Sequence, residues 1–540
     1  MRQTETSDVV VIGAGPVGLS LAIDLGMRGI ATTIVELNDA PLRLPKMERT
    51  NPRTMEIYRR LGVHEQIRGS GLKPDKPMDV YIVEHLGKPP LLRLPYPSVN
   101  ETRAAIAQCT NGTLPREPYQ LISQYTLEPI LEQRLRDLPS VTLCRGTEFL
   151  SLSQDEDGVS VQVRDHHRDA ERHIRCRYLV GADGGSSRVR KAIEVEMEGQ
   201  AGLGVVTNIF FRCDDLLEKS VVPQARHYCF APIGASGGAA GTMAVQDDQK
   251  HFALHTTVPP DGDIAEVIRN VLGLDINPEV IHSGPWTQHM LVAKQHSLGR
   301  VFLAGDANHL FIPAGGLGMN TGIGDAINLG WKLEAALKGW GGEKLLESYS
   351  AERNATARRT LKKVAHAVEG SIKWREAFTP CVLEDTSRGR AEREVFLEVA
   401  NPLIRRIYEM HGSDLGYRYQ SPVICGEAEE PPPDDAYTFV PSTYPGCHLP
   451  HAWLDKDTAV YDAIGPGFAL LKLGTVDSAA LEKAFADSAV PLKVLEIADS
   501  AIRKLYGRDL ILVRPDLHVA WRGNAAPENP LDMVRTVTGR

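Results

Sequence analysis

Three short clusters of glycine and acid are the residues of this chain best suited to chemistry. The first is Val9–Ser20, VVVIGAGPVGLS. A β-branched run stops at Gly13-Ala14-Gly15-Pro16-Val17-Gly18, a G-x-G-x-x-G spacing, and Glu36 follows eighteen residues after Gly18. Gly13 permits a tight turn. Gly15 lets backbone approach a pyrophosphate, and Gly18 lets helix and strand pack closely. The helix start at Pro16 and Val17 supplies N–H groups and a positive dipole. Glu36 is placed to accept hydrogen bonds from an adenosine ribose. Together these features predict dinucleotide binding, but the motif alone does not separate FAD from NAD. The alternative is a glycine-rich turn without a ligand.

The second cluster is Tyr178–Arg190, YLVGADGGSSRVR, and the third is Val301–Lys332, VFLAGDANHLFIPAGGLGMNTGIGDAINLGWK. The elements that position them follow from local pattern. Asp8–Ile12 reads as a buried strand, Leu19–Gly26 as a helix and Thr32–Glu36 as a second strand. Tyr178-Leu179-Val180 is a strand ending at Asp183-Gly184. Val301–Ala304 is a strand delivering Gly305-Asp306. A loop from Pro313 to Gly318 then opens a long helix from about Met319, with Ile323, Ile327 and Leu333 near helical spacing.

With all three clusters in order, the chain resembles the class A flavoprotein monooxygenases of the para-hydroxybenzoate hydroxylase and phenol hydroxylase group. The signature is Gly13 to Gly18, then Asp183-Gly184, then Gly305-Asp306 with Pro313 and Gly316-Leu317-Gly318-Met319-Asn320. Leu346–Arg353, LESYSAER, matches the helix after the flavin site. Tyr444–Leu454, Gly465–Leu471 and Leu512–Gly523 resemble the thioredoxin-like extension of phenol hydroxylases.

The resemblance implies roles residue by residue. Asp306 would hydrogen-bond the FAD ribityl chain, and backbone from Gly316 to Asn320 would lie against the flavin pyrimidine. Gln124 matches a glutamine that touches FAD. Asp183 matches a motif used for FAD and nicotinamide nucleotide; otherwise it closes a strand-end turn. Arg188 could meet a phosphate or lie exposed. Aligning on Arg53-Thr54 puts Lys46 where the family carries an arginine near the flavin. The same alignment puts Glu48 where phenol hydroxylases carry a carboxylate that helps deprotonate substrate. Its alternative is a surface-loop carboxylate. Asp516, in the tail, is expected to leave flavin affinity alone.

The implied fold is α/β: a Rossmann-like FAD-binding domain with an inserted antiparallel β-sheet substrate domain and a C-terminal thioredoxin-like domain. The expected segments are 1–75, 100–190 and 290–400 for FAD, 76–99 and 191–289 for substrate, 401–436 as linker and 437–540 as the tail. Short apolar runs across 190–290, split by Gly, Pro and Asp, read as the inserted sheet. His227, Tyr228, His255 and Trp286 are its pocket candidates.

Composition sets bounds. A chain of 540 residues implies two or three domains. A net charge of −9 argues against nucleic acid as a partner. No apolar window approaches a membrane span, and the polar start MRQTETSD is no signal peptide. The eight cysteines are scattered without C-x-x-C, so a reduced, cytoplasmic, metal-free protein is expected. The expected activity is hydroxylation of a phenolic or other electron-rich aromatic with NADH or NADPH, O₂ and non-covalent FAD, through a flavin C4a-hydroperoxide. A homodimer or higher homo-oligomer is expected. One rival is a Baeyer–Villiger or epoxidising enzyme of the same fold. The other is a non-catalytic flavin-binding regulator.

Overall fold

The computed structural model describes residues 5–41, 43–232, 241–259 and 262–540; the first four residues of the polar start lie outside them. Five parallel strands form the centre of the first, eight-stranded sheet, in the order Val141–Cys144, Thr32–Val35, Glu5–Ile12, Ala170–Gly181 and Val301–Leu303. Val9, Val10 and Val11 are fully buried, which is why this central strand is apolar on both faces. Ile12 lies opposite both Val35 and Gly181, and Gly181 lies opposite Leu303. The C-terminal ends of three strands therefore coincide, and the three glycine clusters that follow them gather at one edge.

The second sheet runs His309–Leu310, Glu279–Ala293, Met197–Arg212, His251–Thr256, Gly241–Val245, His227–Phe230, Val80–Val83, Leu92–Leu94. It is antiparallel as expected, except that His227–Phe230 runs parallel to Val80–Val83. Cys229, Thr242, His255 and Asn208 lie directly opposite one another across four strands, so they share one face. Helices Glu343–Glu376 and Ser387–Tyr408 cover part of that face, packing Trp374 and Phe396 with Ile82 and Cys229. The other face buries Tyr228, Met243 and Leu254 beneath helix Ile264–Leu272.

The tail is a four-stranded sheet ordered Leu492–Glu496, Phe468–Lys472, Leu510–Val513, Val519–Gly523. Alternate residues of Phe468–Lys472 serve two cores. Phe468 and Leu470 meet helices Ala479–Asp487 and Pro530–Thr538, while Ala469 and Leu471 meet helix Ser500–Tyr506. Helix Ser387–Tyr408 runs through residue 400, where the linker was expected to begin. Asp516 is tied into the rest of the chain. Both carboxylate oxygens meet Arg514, and one also meets Asn328 of the first domain, so it is no detached tail residue. Among the described residues, no helix is long and apolar enough to cross a membrane.

Candidate active site

The glycines of the first motif divide by what surrounds them. Gly13 has φ +104°, and a side chain there would run into the Ala182 carbonyl. A side chain on Gly18 would run into the Gly13 carbonyl. At Gly15 and at Gly318 it would meet nothing within 4 Å. The first pair holds the fold together; the second pair borders open space. Helices Pro16–Met27 and Leu317–Leu337 start at Gly15 and Gly316, with no side-chain cap and no acid in the first turn. Two positive helix ends thus face that space. Glu36 closes over the loop, accepting from Ala14 N at 2.8 Å and Asn38 N at 2.9 Å.

Gly305 has φ +63°, and its amide donates to Asp325 Oδ2 at 3.0 Å. Asp325 is fully buried and also accepts from Arg353 Nε at 2.6 Å and His309 Nε2 at 2.9 Å. Burial would push its carboxyl up, but Arg353 and His309 hold it well below the usual carboxylate range. Asp306, next to Gly305, is solvent-accessible and has no hydrogen-bond partner among the described residues. The protein around it nevertheless pushes its carboxyl up, against the charges of His309 and Lys46. An accessible carboxylate that is also enclosed lines a cleft. These groups fit FAD: amides for a pyrophosphate, an unpartnered acceptor for hydroxyls, and a second helix start for a polar ring edge.

Other expected cofactor residues are placed as follows. Asp183 turns inward: it accepts from Ser187 Oγ at 2.6 Å, Arg188 N at 2.7 Å and Val189 N at 3.1 Å. Its side chain caps the strand-end turn, because three local donors satisfy it there. The Arg188 side chain is exposed and pairs with Glu148. Gln124 opens helix Gln124–Leu135 and donates to Glu128 Oε1 at 2.6 Å. Lys46 and Pro313 are exposed, whereas Leu317 is buried against Met290 and Met410. The Asn320 side chain accepts from Asn51 N at 2.8 Å and donates to Gly316 O at 2.6 Å. It stitches the loop after Glu48 to the helix start.

On the sheet, Glu48 is not a free surface carboxylate, although 21% of its side chain stays exposed. Its Oε1 accepts from Arg226 Nη2 at 2.8 Å, and its Oε2 lies 2.6 Å from His227 Nε2. Burial pushes Glu48 up, but His227 and Arg226 together hold it well below the usual carboxylate range. His227 Nδ1 lies 3.0 Å from the Tyr408 hydroxyl. A neutral ring with its proton on Nε2 serves both neighbours, and burial keeps His227 low despite Glu48. His255 shares this face, is part-exposed, and its side chain makes no hydrogen bond among the described residues. Burial lowers it too, although the Glu48 charge pulls the other way.

Two pocket candidates fall elsewhere. Tyr228 points to the opposite face, because strand side chains alternate and it follows His227 directly. Its hydroxyl donates to Pro223 O at 3.0 Å. Trp286, opposite Val206, lies on the His255 face but toward its rim, 38% exposed. Sequence reasoning missed Arg226, Tyr408, Arg49 and Asp325. Arg226 adjoins His227 in sequence, which could have flagged it. Arg49 reaches the Gly315 carbonyl, and its Nε is buried without a hydrogen-bond partner among the described residues.

A family model described as FAD binding domain matches residues 6–364. Another, described as aromatic-ring hydroxylase, C-terminal, matches residues 442–540. The FAD-dependent monooxygenase opdD of Penicillium oxalicum is 31% identical, over 88% of this chain and 96% of that protein. The 4-methyl-5-nitrocatechol 5-monooxygenase of a Burkholderia species is 30% identical, over 98% of this chain and 97% of that protein. The structure of the rebeccamycin biosynthetic enzyme RebC with reduced flavin has a TM-score of 0.89 and 33% identity, over 99% of this chain and 100% of that one.

Proposed function

The chain belongs to the FAD binding domain family, with an aromatic-ring hydroxylase C-terminal domain, and from that premise we propose that it hydroxylates a phenolic or other electron-rich aromatic. The co-substrates are O₂ and NADH or NADPH. One oxygen atom enters the ring, the other leaves as water, and the nicotinamide supplies two electrons. Bound FAD supplies the redox chemistry and oxygen activation. The Gly15 backbone and the helix start beside it would hold the pyrophosphate, with Gly13 and Gly18 shaping the turn, and Glu36 would hold the ribose and Asp306 the ribityl chain. Backbone at 316–320 takes the ring edge.

The observation that carries this reading is the Glu48–Arg226–His227 cluster, whose Glu48 lies on a loop stitched to the helix start at Gly316. A carboxylate held so far down is a poor proton acceptor. Its charge orients a phenol hydroxyl by accepting from it, and the Arg226 guanidinium beside it offsets the like charge that would oppose phenolate. His255, neutral and without a hydrogen-bond partner among the described residues, takes the proton. A nitrocatechol monooxygenase among the relatives is named for a phenolic ring, which agrees with this choice.

The test is NADH and NADPH oxidation by the FAD-loaded protein with a panel of phenols, with products identified by mass spectrometry. The proposal expects several-fold stimulation and a product one oxygen heavier, hydroxylated on the ring. A lactone or epoxide would assign the other oxygenation chemistry, and no stimulation by any phenol would remove the substrate class.

A further inference from the structure

Arg53-Thr54-Met55-Glu56 opens helix Pro52–Arg60, and no step above uses it. The arginines of this helix all reach into the C-terminal part of the chain. Arg53 Nη2 donates to Asp516 O at 2.6 Å. Arg60 donates to Pro515 O at 2.7 Å and Gly465 O at 3.2 Å. Arg59 Nε pairs with Asp462 Oδ1 at 2.7 Å.

The turn that receives Arg53 and Arg60 is itself fixed. Arg514 forks onto Glu352 at 2.6 and 2.9 Å and onto Asp516 at 2.6 and 3.1 Å. Lys332 Nζ and Asn328 Nδ2 reach the same Glu352 carboxylate at 2.8 and 2.7 Å. None of these charged side chains is more than 2% exposed. Asn328 and Lys332 belong to helix Leu317–Leu337, whose start borders the cofactor cleft. One turn of the tail therefore grips two helices. The first begins at Asn51, three residues after Glu48. The second begins where Asn320 holds Asn51.

A buried network of two acids and two bases is a weak source of net stability, because desolvation offsets the attraction. Apolar side chains would join the two units as firmly. Forked guanidinium–carboxylate pairs add fixed direction. We propose that the Arg514–Asp516 turn is a positioning element for oxygen transfer. Through Arg53 and Arg60 it fixes helix Pro52–Arg60, and with it the distance of Glu48 from helix Leu317–Leu337. The chemical consequence rests on the proposed role of Glu48; the mechanical part does not.

The experiment compares FAD-loaded Arg53→Lys and Arg60→Gln with the parent and with Glu48→Gln. Hydrogen–deuterium exchange reads the segments, and product formed per NAD(P)H oxidised reads coupling. Exchange across 46–51 is expected to rise about fivefold, the scale of one lost hydrogen bond. Coupling is expected to fall by half or more, with flavin affinity within twofold. Faster exchange confined to 510–523, with 46–51 unmoved, overturns the proposal. If Glu48→Gln leaves coupling intact while Arg53→Lys loosens 46–51, the positioning stands and the role of Glu48 falls. Should Arg53→Lys not fold, Arg60→Gln decides alone, since among the described residues its guanidinium donates only to carbonyls.

Discussion

His227 stands 2.6 Å from the Glu48 carboxylate, its Nε2 facing Oε2, on the face of the inserted sheet that helix Ser387–Tyr408 partly covers. The pair joins a loop to a strand 179 residues apart in sequence. Glu48→Gln keeps the shape and removes the charge. Flavin reduction should stay near the parent rate. Ring hydroxylation should slow by roughly tenfold to a thousandfold, with more peroxide released. Stopped-flow absorbance separates the two steps, and unchanged hydroxylation with unchanged coupling would sink the role of Glu48.

His255 is expected to matter in a pH-dependent way. As the proton acceptor it is most needed where the phenol is protonated. His255→Asn should cost about a hundredfold in hydroxylation at neutral pH. The deficit should shrink as the pH approaches the phenol's own pKa, because the substrate then ionises unaided. Rate–pH profiles of the two proteins that run parallel throughout would remove His255 from proton transfer.

The two kinds of glycine make separable predictions. Gly15→Ala adds a methyl where nothing lies within 4 Å. The flavin-free protein should keep its stability within about 1 kcal/mol, yet bind FAD at least tenfold more weakly. Gly18→Ala drives a methyl into the Gly13 carbonyl, and should lose about 2 kcal/mol or more before any flavin is added. Thermal melts of flavin-free protein and flavin titrations read both. Asp306→Ala belongs with Gly15→Ala: affinity should fall roughly tenfold to a hundredfold. The matching control is exposed Asp487→Ala, not Asp516→Ala, whose site is a buried ionic network.

The strand–glycine–helix units were legible because each is local. A turn with no room for a side chain and a helix start without a cap are written within a few residues, as at Gly13 to Gly18. Pairings between distant segments were not. Nothing near Tyr408 signals that it ends a helix beneath His227, or that Asp325, mid-helix, holds the Gly305 amide. Asp183 was legible as a motif but not in direction: the same Asp-Gly pair can face a ligand or its own turn, and the amides of 188 and 189 decided. Tyr228 failed on parity alone. One residue's shift along a strand moved it from pocket to core.

Glu56 carries the last prediction. Its side chain is 1% exposed, with Arg116 N at 2.9 Å from Oε1 and no hydrogen-bond partner on Oε2 among the described residues. Burial raises its pKa to about 7, against the pull of Arg53 and Arg116, with Glu117 adding to the rise. His448 Nε2 is 3.5 Å away and is itself kept low by burial, so it gives no compensating charge at neutral pH. The unfolded carboxyl titrates near its ordinary value of 4.5. Between these values the folded chain holds a proton that the unfolded chain has lost, so stability falls as pH rises through the window. Glu56→Gln mimics the protonated form at every pH. Its stabilising effect should therefore be larger by about 2 kcal/mol at pH 8.5 than at pH 5.5. Denaturant unfolding of both proteins at the two pH values measures this directly. An effect independent of pH would mean that Glu56 is already ionised in the folded protein across that range.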